Sequence, residues 1–454
     1  MNTQQQNELG YENINKLLFK MAIPTIAAQI INLLYNLVDR VYIGHIPVVG
    51  ATALTALGVT MPIILIVSAF AALVSMGGAP RASIMLGKGD KDAAEKILGN
   101  CTTALAIISI TLTAILLIFA QDILMAFGAS ENTIGYAVAY LRIYAIGTIF
   151  VQFALGLNFF ITAQGFSKMS MITVLIGAIL NIILDPIFIF GFDMGVQGAA
   201  LATIISQGVS AIWVVWFLTS KKTILHIRLK NMRLDLKVLG PCLVLGLSPF
   251  IMQATESLLA VVFNTSLLKY GGDIAVGTMT ILLSVMQFSM LPLFGLTQGA
   301  TPIISFNYGA GNYERVKKAF FLLLKVSVIY SATLWLLAMG VPQLFAKMFT
   351  KDSELIELTI KSMRIYMAGT LLFGIQVSCQ QTFIALGNAK TSVFLALLRK
   401  IILLIPLIYI LPLFMDNKVN AVFLAEPIAD IIAAITTGLL FYIQLKNIFV
   451  FKEE

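Results

Sequence analysis

The sequence predicts an all-α integral membrane protein of twelve transmembrane helices, arranged as two six-helix halves related by a pseudo-twofold axis. Three observations predict it. Of 454 residues, 59% are hydrophobic and only 11% are charged, with a mean hydropathy of +0.93; a soluble domain is roughly half apolar and a quarter charged. Apolar runs of about 20 residues recur along the whole chain, each long enough to cross a bilayer as a helix. They are continuous rather than short and alternating, which selects helices over a barrel. The chain is also built twice. Arg142-Ile143-Tyr144 and Gly147-Thr148 return 222 residues later (364 − 142) as Arg364-Ile365-Tyr366 and Gly369-Thr370. The same offset carries Pro80 onto Pro302, Gly87 and Gly89 onto Gly309 and Gly311, and Gly165 and Lys168 onto Gly387 and Lys390.

The first half, residues 1–219, holds spans near 17–39, 51–78, 93–120, 134–163, 167–190 and 196–219. The first ends in Asn36-Leu-Val-Asp39-Arg40. The Gly-x-Gly pair at 87–89 permits a tight turn before the third, which opens as a basic amphipathic helix from Asp92 to Lys96. The fourth carries the repeated Arg-Ile-Tyr, and the fifth closes at Asp185-Pro186. Residues 220–235 are the linker. The second half, residues 236–454, holds spans near 236–268, 274–302, 317–346, 356–386, 391–414 and 419–445, with a second Gly-x-Gly turn at 309–311 before Glu314 to Lys318. Six is even, so both halves enter the membrane in the same direction and their pseudo-twofold axis runs along the membrane normal. A duplicated membrane chain of this kind points to a transporter with its substrate site where the repeats meet.

Net charge is +8, and its distribution matters more than its size. The linker carries Lys221, Lys222, Arg228, Lys230, Arg233 and Lys237 lies just beyond it; Arg81, Lys88, Lys91 and Lys96, then Arg315, Lys317 and Lys318, mark other loops of the same side. The opposite loops are poorer in Lys and Arg and include Asp122, Glu131, Asp193 and Asp273. The positive-inside rule then places both termini in the cytoplasm. The basic surface is read as topology and contact with lipid headgroups, not nucleic-acid binding. No cleavable signal is expected at the polar N-terminus. Cys101, Cys242 and Cys379 have no metal spacing and predict no disulfide, and His45 and His226 lie far apart near loops. The Gly-x-x-x-x-Gly-Lys-Ser/Thr spacing is absent, so ATP hydrolysis has no support. An embedded hydrolase would need His-Glu-x-x-His or paired catalytic Asp motifs, also absent; the chain is not read as an enzyme.

Acids inside membrane spans are costly and mark function by default. Asn181 and Asp185 are four apart and share one helix face. Pro186 cannot donate to the carbonyl of Ile182, which leaves a backbone oxygen nearby. A carboxylate, an amide oxygen and a carbonyl suit a hard cation such as Na⁺, or a carboxyl that exchanges a proton. If Asp39 approaches Asp185, two like charges in a low-dielectric site cannot both ionise cheaply, which favours proton exchange. Under the 222 offset Asn181 maps to Leu403, Asp185 to Leu407 and Thr203 to Ala425, so this polar set exists in one half only. The second half has its own acids: Glu256 within the seventh span, and Glu426 and Asp430 on one face of the twelfth, with Pro427 between them. Their alternatives are cationic substrate capture, a second coupling site, or plain interhelical hydrogen bonding. Thirty Phe and 19 Met could line an adaptable apolar cavity.

At Asn181-Ile-Ile-Leu-Asp185-Pro-Ile-Phe-Ile-Phe-Gly191-Phe, followed by Gly198-Ala-Ala-Leu-Ala-Thr203, the chain resembles the multidrug and toxic compound extrusion family, in its bacterial MepA-like branch. Pro24, the loop Gly87-Lys-Gly-Asp90 and Arg364-Ile-Tyr extend the resemblance over nearly the whole chain. It implies two lobes in a V (the fold of the MOP superfamily), alternating access, and export of cationic or amphipathic drugs driven by inward Na⁺ or H⁺. In relatives an N-lobe cation site uses acids of spans 1 and 5, the Asn one turn before the latter and a Thr of span 6, which here are Asp39, Asp185, Asn181 and Thr203. A second-lobe Glu of span 7 matches Glu256. The Asp that relatives place in span 10 has no counterpart, because Gly374-Ile-Gln-Val-Ser-Cys-Gln380-Gln381 holds no acid. The expectation is a multi-pass, monomeric antiporter of the bacterial cytoplasmic membrane, in contact with lipid and small drugs, with no cofactor beyond its coupling ion and a part in antibiotic resistance. The rival is a flippase for lipid-linked precursors, which would need a basic cavity for pyrophosphate; a passive channel is the other alternative.

Overall fold

The computed structural model describes residues 8–450, with side chains as far as Leu445. The helices of the first lobe are α1 (Ile14–Gly44), α2 (Gly50–Gly87), α3 (Lys91–Ile118), the short α4 (Ala120–Ala126), α5 (Ile134–Ile146), α6 (Thr148–Ala163), α7 (Ser167–Pro186) and α8 (Gly195–Thr219). A 3₁₀ turn, Leu229–Asn231, interrupts the stretch that follows. The second lobe comprises α9 (Leu236–Gly309), α10 (Tyr313–Gly340), the short α11 (Pro342–Phe349), α12 (Ser353–Tyr366), α13 (Phe373–Ala385), α14 (Ala389–Leu397), α15 (Ile405–Phe414) and α16 (Lys418–Val450).

Among the described residues, nine helices are long and apolar enough to span a membrane singly, and α5 with α6, bent by 57°, makes a tenth span. The remaining two follow from backbone detail. The 74-residue α9 is two spans joined at Gly272, whose φ of 64° and ψ of −161° break the helix. The sequence predicts a five-residue loop there; the structure makes the turn with a single glycine. The tenth span of the chain is α12 and α13 joined by the 3₁₀ segment Ala368–Leu372. The result is the expected twelve-span architecture with no strand among the described residues. The ninth predicted span runs to 346, but α10 stops at Gly340, because Pro342 starts a new short helix at its first turn.

The duplication is visible in the backbone. Gly89 and Gly311 share positive φ (80° and 74°), as do Gly165 and Gly387 (91° and 76°). Both repeated Gly-Thr pairs mark the bend of a broken span. The lobes meet along α2 and α9, where small residues let backbones touch. A Cβ on Gly77 would meet the Cys242 carbonyl, and one on Gly299 would lie 2.7 Å from the Ala22 Cα. Thr25 Oγ1 donates across the seam to the Gly295 carbonyl at 2.6 Å. The segment between the lobes is tied to the first. Gln164 Oε1 accepts from the amides of Ile224 (2.8 Å) and Leu225 (2.7 Å), and Arg228 Nε pairs with Glu95 Oε2 at 2.8 Å. The three cysteines are unbridged.

Candidate functional site

Three helices of the first lobe converge on one polar spot. Asp39 sits near the C-terminal end of α1, Asn181 and Asp185 on α7, and Thr203 on α8. The four-residue spacing puts Asn181 one turn from Asp185, and its Nδ2 donates to Asp185 Oδ1 at 3.3 Å and to Thr203 Oγ1 at 3.4 Å. The Asp39 and Asp185 carboxyls are close enough to feel each other's charge. All three of Asp39, Asn181 and Asp185 are buried. The proline after Asp185 is followed by a π-helical turn, Ile187–Gly191, in which the Phe192 amide reaches the Ile187 carbonyl at 2.9 Å. Such turns recur at functional sites.

The polar set is incompletely satisfied. Asp39 Oδ1, Asp185 Oδ2 and Asn181 Oδ1 are buried without a hydrogen-bond partner. Three acceptor oxygens that lack donors in one dry spot are costly. A cation or a proton there would satisfy them. The sequence reading did not single out two neighbours. Tyr35, one turn before Asp39 on α1, and Tyr140, whose hydroxyl adjoins Thr203, both lie in the field of the acids. Tyr35 also lines a cavity of about 100 Å³ in the same lobe, with Gln29, Asn32, Asn158, Thr173 and Gln298. Gln298 comes from the other lobe and accepts from Gln29 Nε2 at 3.1 Å. Helix α1 therefore touches both the acid pair and the cavity.

In the second lobe Glu256 lies on α9, and Glu426 and Asp430 on α16. The structure brings them together through two cations that the sequence reading passed over. Arg399 Nε donates to Asp430 Oδ1 at 2.7 Å and its Nη2 lies 3.4 Å from Glu426 Oε1, while Lys400 Nζ donates to Glu256 Oε1 at 2.8 Å. The signal was available, since Arg399 and Lys400 interrupt an apolar run as conspicuously as the acids do. Among the described residues, no group of three or more His, Cys, Asp or Glu is arranged to hold a metal ion.

The MatE family model matches residues 24–187 and 249–410, one copy in each lobe. The chain belongs to the MatE family. It is a multi-pass membrane transporter of that family and not an enzyme. Among curated proteins it is similar to the multidrug export protein MepA of Staphylococcus aureus, 26% identical over 403 residues covering 87% of each chain. The MepA of Staphylococcus saprophyticus is 25% identical over 444 residues, covering 97% of this chain and 96% of that one. Solved structures share the fold. One is an outward-facing multidrug resistance MATE family transporter of the MOP superfamily, with a TM-score of 0.90, 22% identity and coverage of 97% and 98% of the two chains. Another is a MOP superfamily transporter from Pyrococcus furiosus, described by the reverse polarity of its binding pocket and a suggested different function, with the same TM-score, identity and coverage. The two six-helix lobes accordingly share the fold of those structures.

Proposed function

We propose that this MatE protein exports cationic and amphipathic drugs by antiport with H⁺ or Na⁺. The observation that carries the reading is the buried trio of unpartnered oxygens on Asp39, Asp185 and Asn181. With Thr203 they form the cation-coupling site. The ion is cargo there, whether Na⁺ held by the four residues or H⁺ on the acid pair. Similarity to MepA supports drug as the other cargo. Buried acids suit organic cations and argue against pyrophosphate-bearing lipid. Glu256 serves cationic substrate in the second lobe, with Glu426 and Asp430, paired with Arg399, as the acidic group behind it, and the domain division is 1–219, 220–235 and 236–454.

The protein sits in a bacterial inner membrane with both termini on the cytoplasmic side, a reading that the basic loops support. The lobes touch at that same end, where Gly87 and Gly309 approach the opposite backbone, which supports reading this form as outward-open. In the cycle, the outward-open protein takes up the ion at Asp39 and Asp185. That neutralises the spot, α1 repacks against the cavity it lines, and drug leaves outward. The protein turns inward, releases the ion and binds new drug. Coupling requires only that ion and drug favour opposite states. The test is ethidium efflux from reconstituted vesicles under a separately imposed pH or Na⁺ gradient, in wild type and Asp185→Asn. Efflux under one gradient, lost in the variant, names the ion. Absence of efflux under both gradients refutes the reading and turns attention to lipid-linked cargo.

A further inference from the structure

The charge network of the second lobe is not symmetrical in exposure. Arg399 and Lys400 are consecutive residues of the π-helical segment Leu398–Leu404. Neighbours on a helix point in different directions, so Arg399 reaches α16 and Lys400 reaches α9. The Arg399, Glu426 and Asp430 side chains are 8%, 5% and 2% exposed, and the guanidinium lies 4.6 Å from the centroid of the Phe373 ring. That group is sealed. The other pair is half open, since Lys400 is 6% exposed and Glu256 54%. Glu256 is thus open to an arriving cation, whereas the Lys400 ammonium is covered.

Two cations face three carboxylates, which leaves the network one negative charge. Asp430 Oδ2 is also buried with no hydrogen-bond partner. Lys400 lies within the field of Glu426. An ammonium released from Glu256 therefore has a second acidic partner on its inner side. A desolvated ammonium must stay paired, because an unpaired charge in that setting is expensive.

We propose that Lys400 is a tethered competitor for the cationic substrate at Glu256, a specificity-determining residue that limits this site to one positive charge. A monocation at Glu256 displaces Lys400 toward Glu426 and brings the network to neutrality. A dication at the same place leaves it positive in a low-dielectric wall and is rejected. Removing Lys400 opens the site to a second positive charge. The inference rests on Glu256 as a substrate-binding residue, as proposed above.

The experiment measures equilibrium binding of tetraphenylphosphonium and of a bis-phosphonium dication to the purified full-length protein. In wild type the monocation binds and the dication binds weakly. Lys400→Met should tighten dication binding by at least about tenfold, a small part of one poorly screened charge contact. Lys400→Arg should restore the wild-type preference, and Glu256→Gln added to Lys400→Met should erase the gain. If Lys400→Met does not yield monodisperse protein, Lys400→Gln, which still donates to Glu256 but carries no charge, takes its place. Unchanged dication binding in the lysine variant, or a gain that survives Glu256→Gln, overturns the proposal. Glu256→Gln alone separates the two ideas. If it leaves monocation binding unaltered, the substrate reading of Glu256 falls and the competitor with it. If it weakens the monocation while the lysine variant changes nothing, only the competitor falls.

Discussion

Gly87 and Gly309 make the same contact twice. A Cβ on Gly87 would strike the carbonyl of Phe306, and a Cβ on Gly309 would strike the carbonyl of Ile84. The four residues interconvert under the 222-residue offset (Ile84 with Phe306, Gly87 with Gly309), so the pseudo-twofold axis passes between them. Small residues at this crossing let α2 and the end of α9 lie backbone to backbone.

That crossing is a test of alternating access. Gly87→Ala or Gly309→Ala must push the two helices apart, with an overpacking cost of about 1–3 kcal/mol to the form described here. The expected outcome is a shift toward the state in which this end is open. Spin labels placed on either side of the crossing should report longer distances in either variant, with less than additive change in the double variant because both act on one contact. Unchanged distances would mean that this contact does not hold the end closed.

The Asp39–Asp185 pair predicts non-additivity of a different kind. If the two carboxyls form one coupling site, Asp39→Asn and Asp185→Asn each reduce gradient-driven ethidium efflux to the level of protein-free vesicles, and the double variant falls no further. Two partial losses that multiply in the double variant would indicate two independent sites.

The repeat supplies a control for stability. Leu403 and Leu407, the counterparts of Asn181 and Asp185, pack against the apolar core, and Ala425, the counterpart of Thr203, is fully buried. Asn181→Leu alone strips Asp185 of its donor and should destabilise the protein by about 1–3 kcal/mol. Asn181→Leu with Asp185→Leu copies the second half, and should melt at or above wild type while losing coupled efflux. A lower melting temperature for the double variant than for Asn181→Leu would show that the pair is structural.

The contrast also explains what could be read in advance. Periodicity and length revealed the spans, because a bilayer imposes both. The i, i+4 spacing of Asn181 and Asp185 is local and sufficed to predict their contact, and Gly89 and Gly311 announced positive φ. At Gly271-Gly272-Asp273 the position of the break was legible but its form was not, since a single glycine makes the turn in place of a loop. The pairing of Arg399 with Asp430 and of Lys400 with Glu256 joins residues 31 and 144 apart in sequence. No local pattern specifies which acid meets which base at such separations; packing of α9, α16 and the segment between α14 and α15 decides it. The exposure that distinguishes Glu256 from Glu426 is likewise a property of the assembled lobe.

That exposure yields the last prediction, a difference between adjacent cations. Arg399→Met leaves Glu426 and Asp430 buried without a counter-charge, and the loss of one partner from a buried ion group costs about 3–5 kcal/mol. Lys400→Met leaves an exposed Glu256 rather than a buried one, and an exposed ion pair contributes roughly 0–1 kcal/mol. Thermal unfolding in detergent should therefore separate the two by several degrees, with Arg399→Met far the less stable. Arg399→Lys should recover only part of the loss, because an ammonium cannot replace a planar fork shared between two carboxylates and stacked on Phe373. Adding Glu426→Gln and Asp430→Asn to Arg399→Met removes the stranded charges and should raise the melting temperature again. Equal losses for the two single variants would mean that Glu256 sits in surroundings as dry as those of Glu426 and Asp430, contrary to the half-open pair on which the charge limit at Glu256 depends.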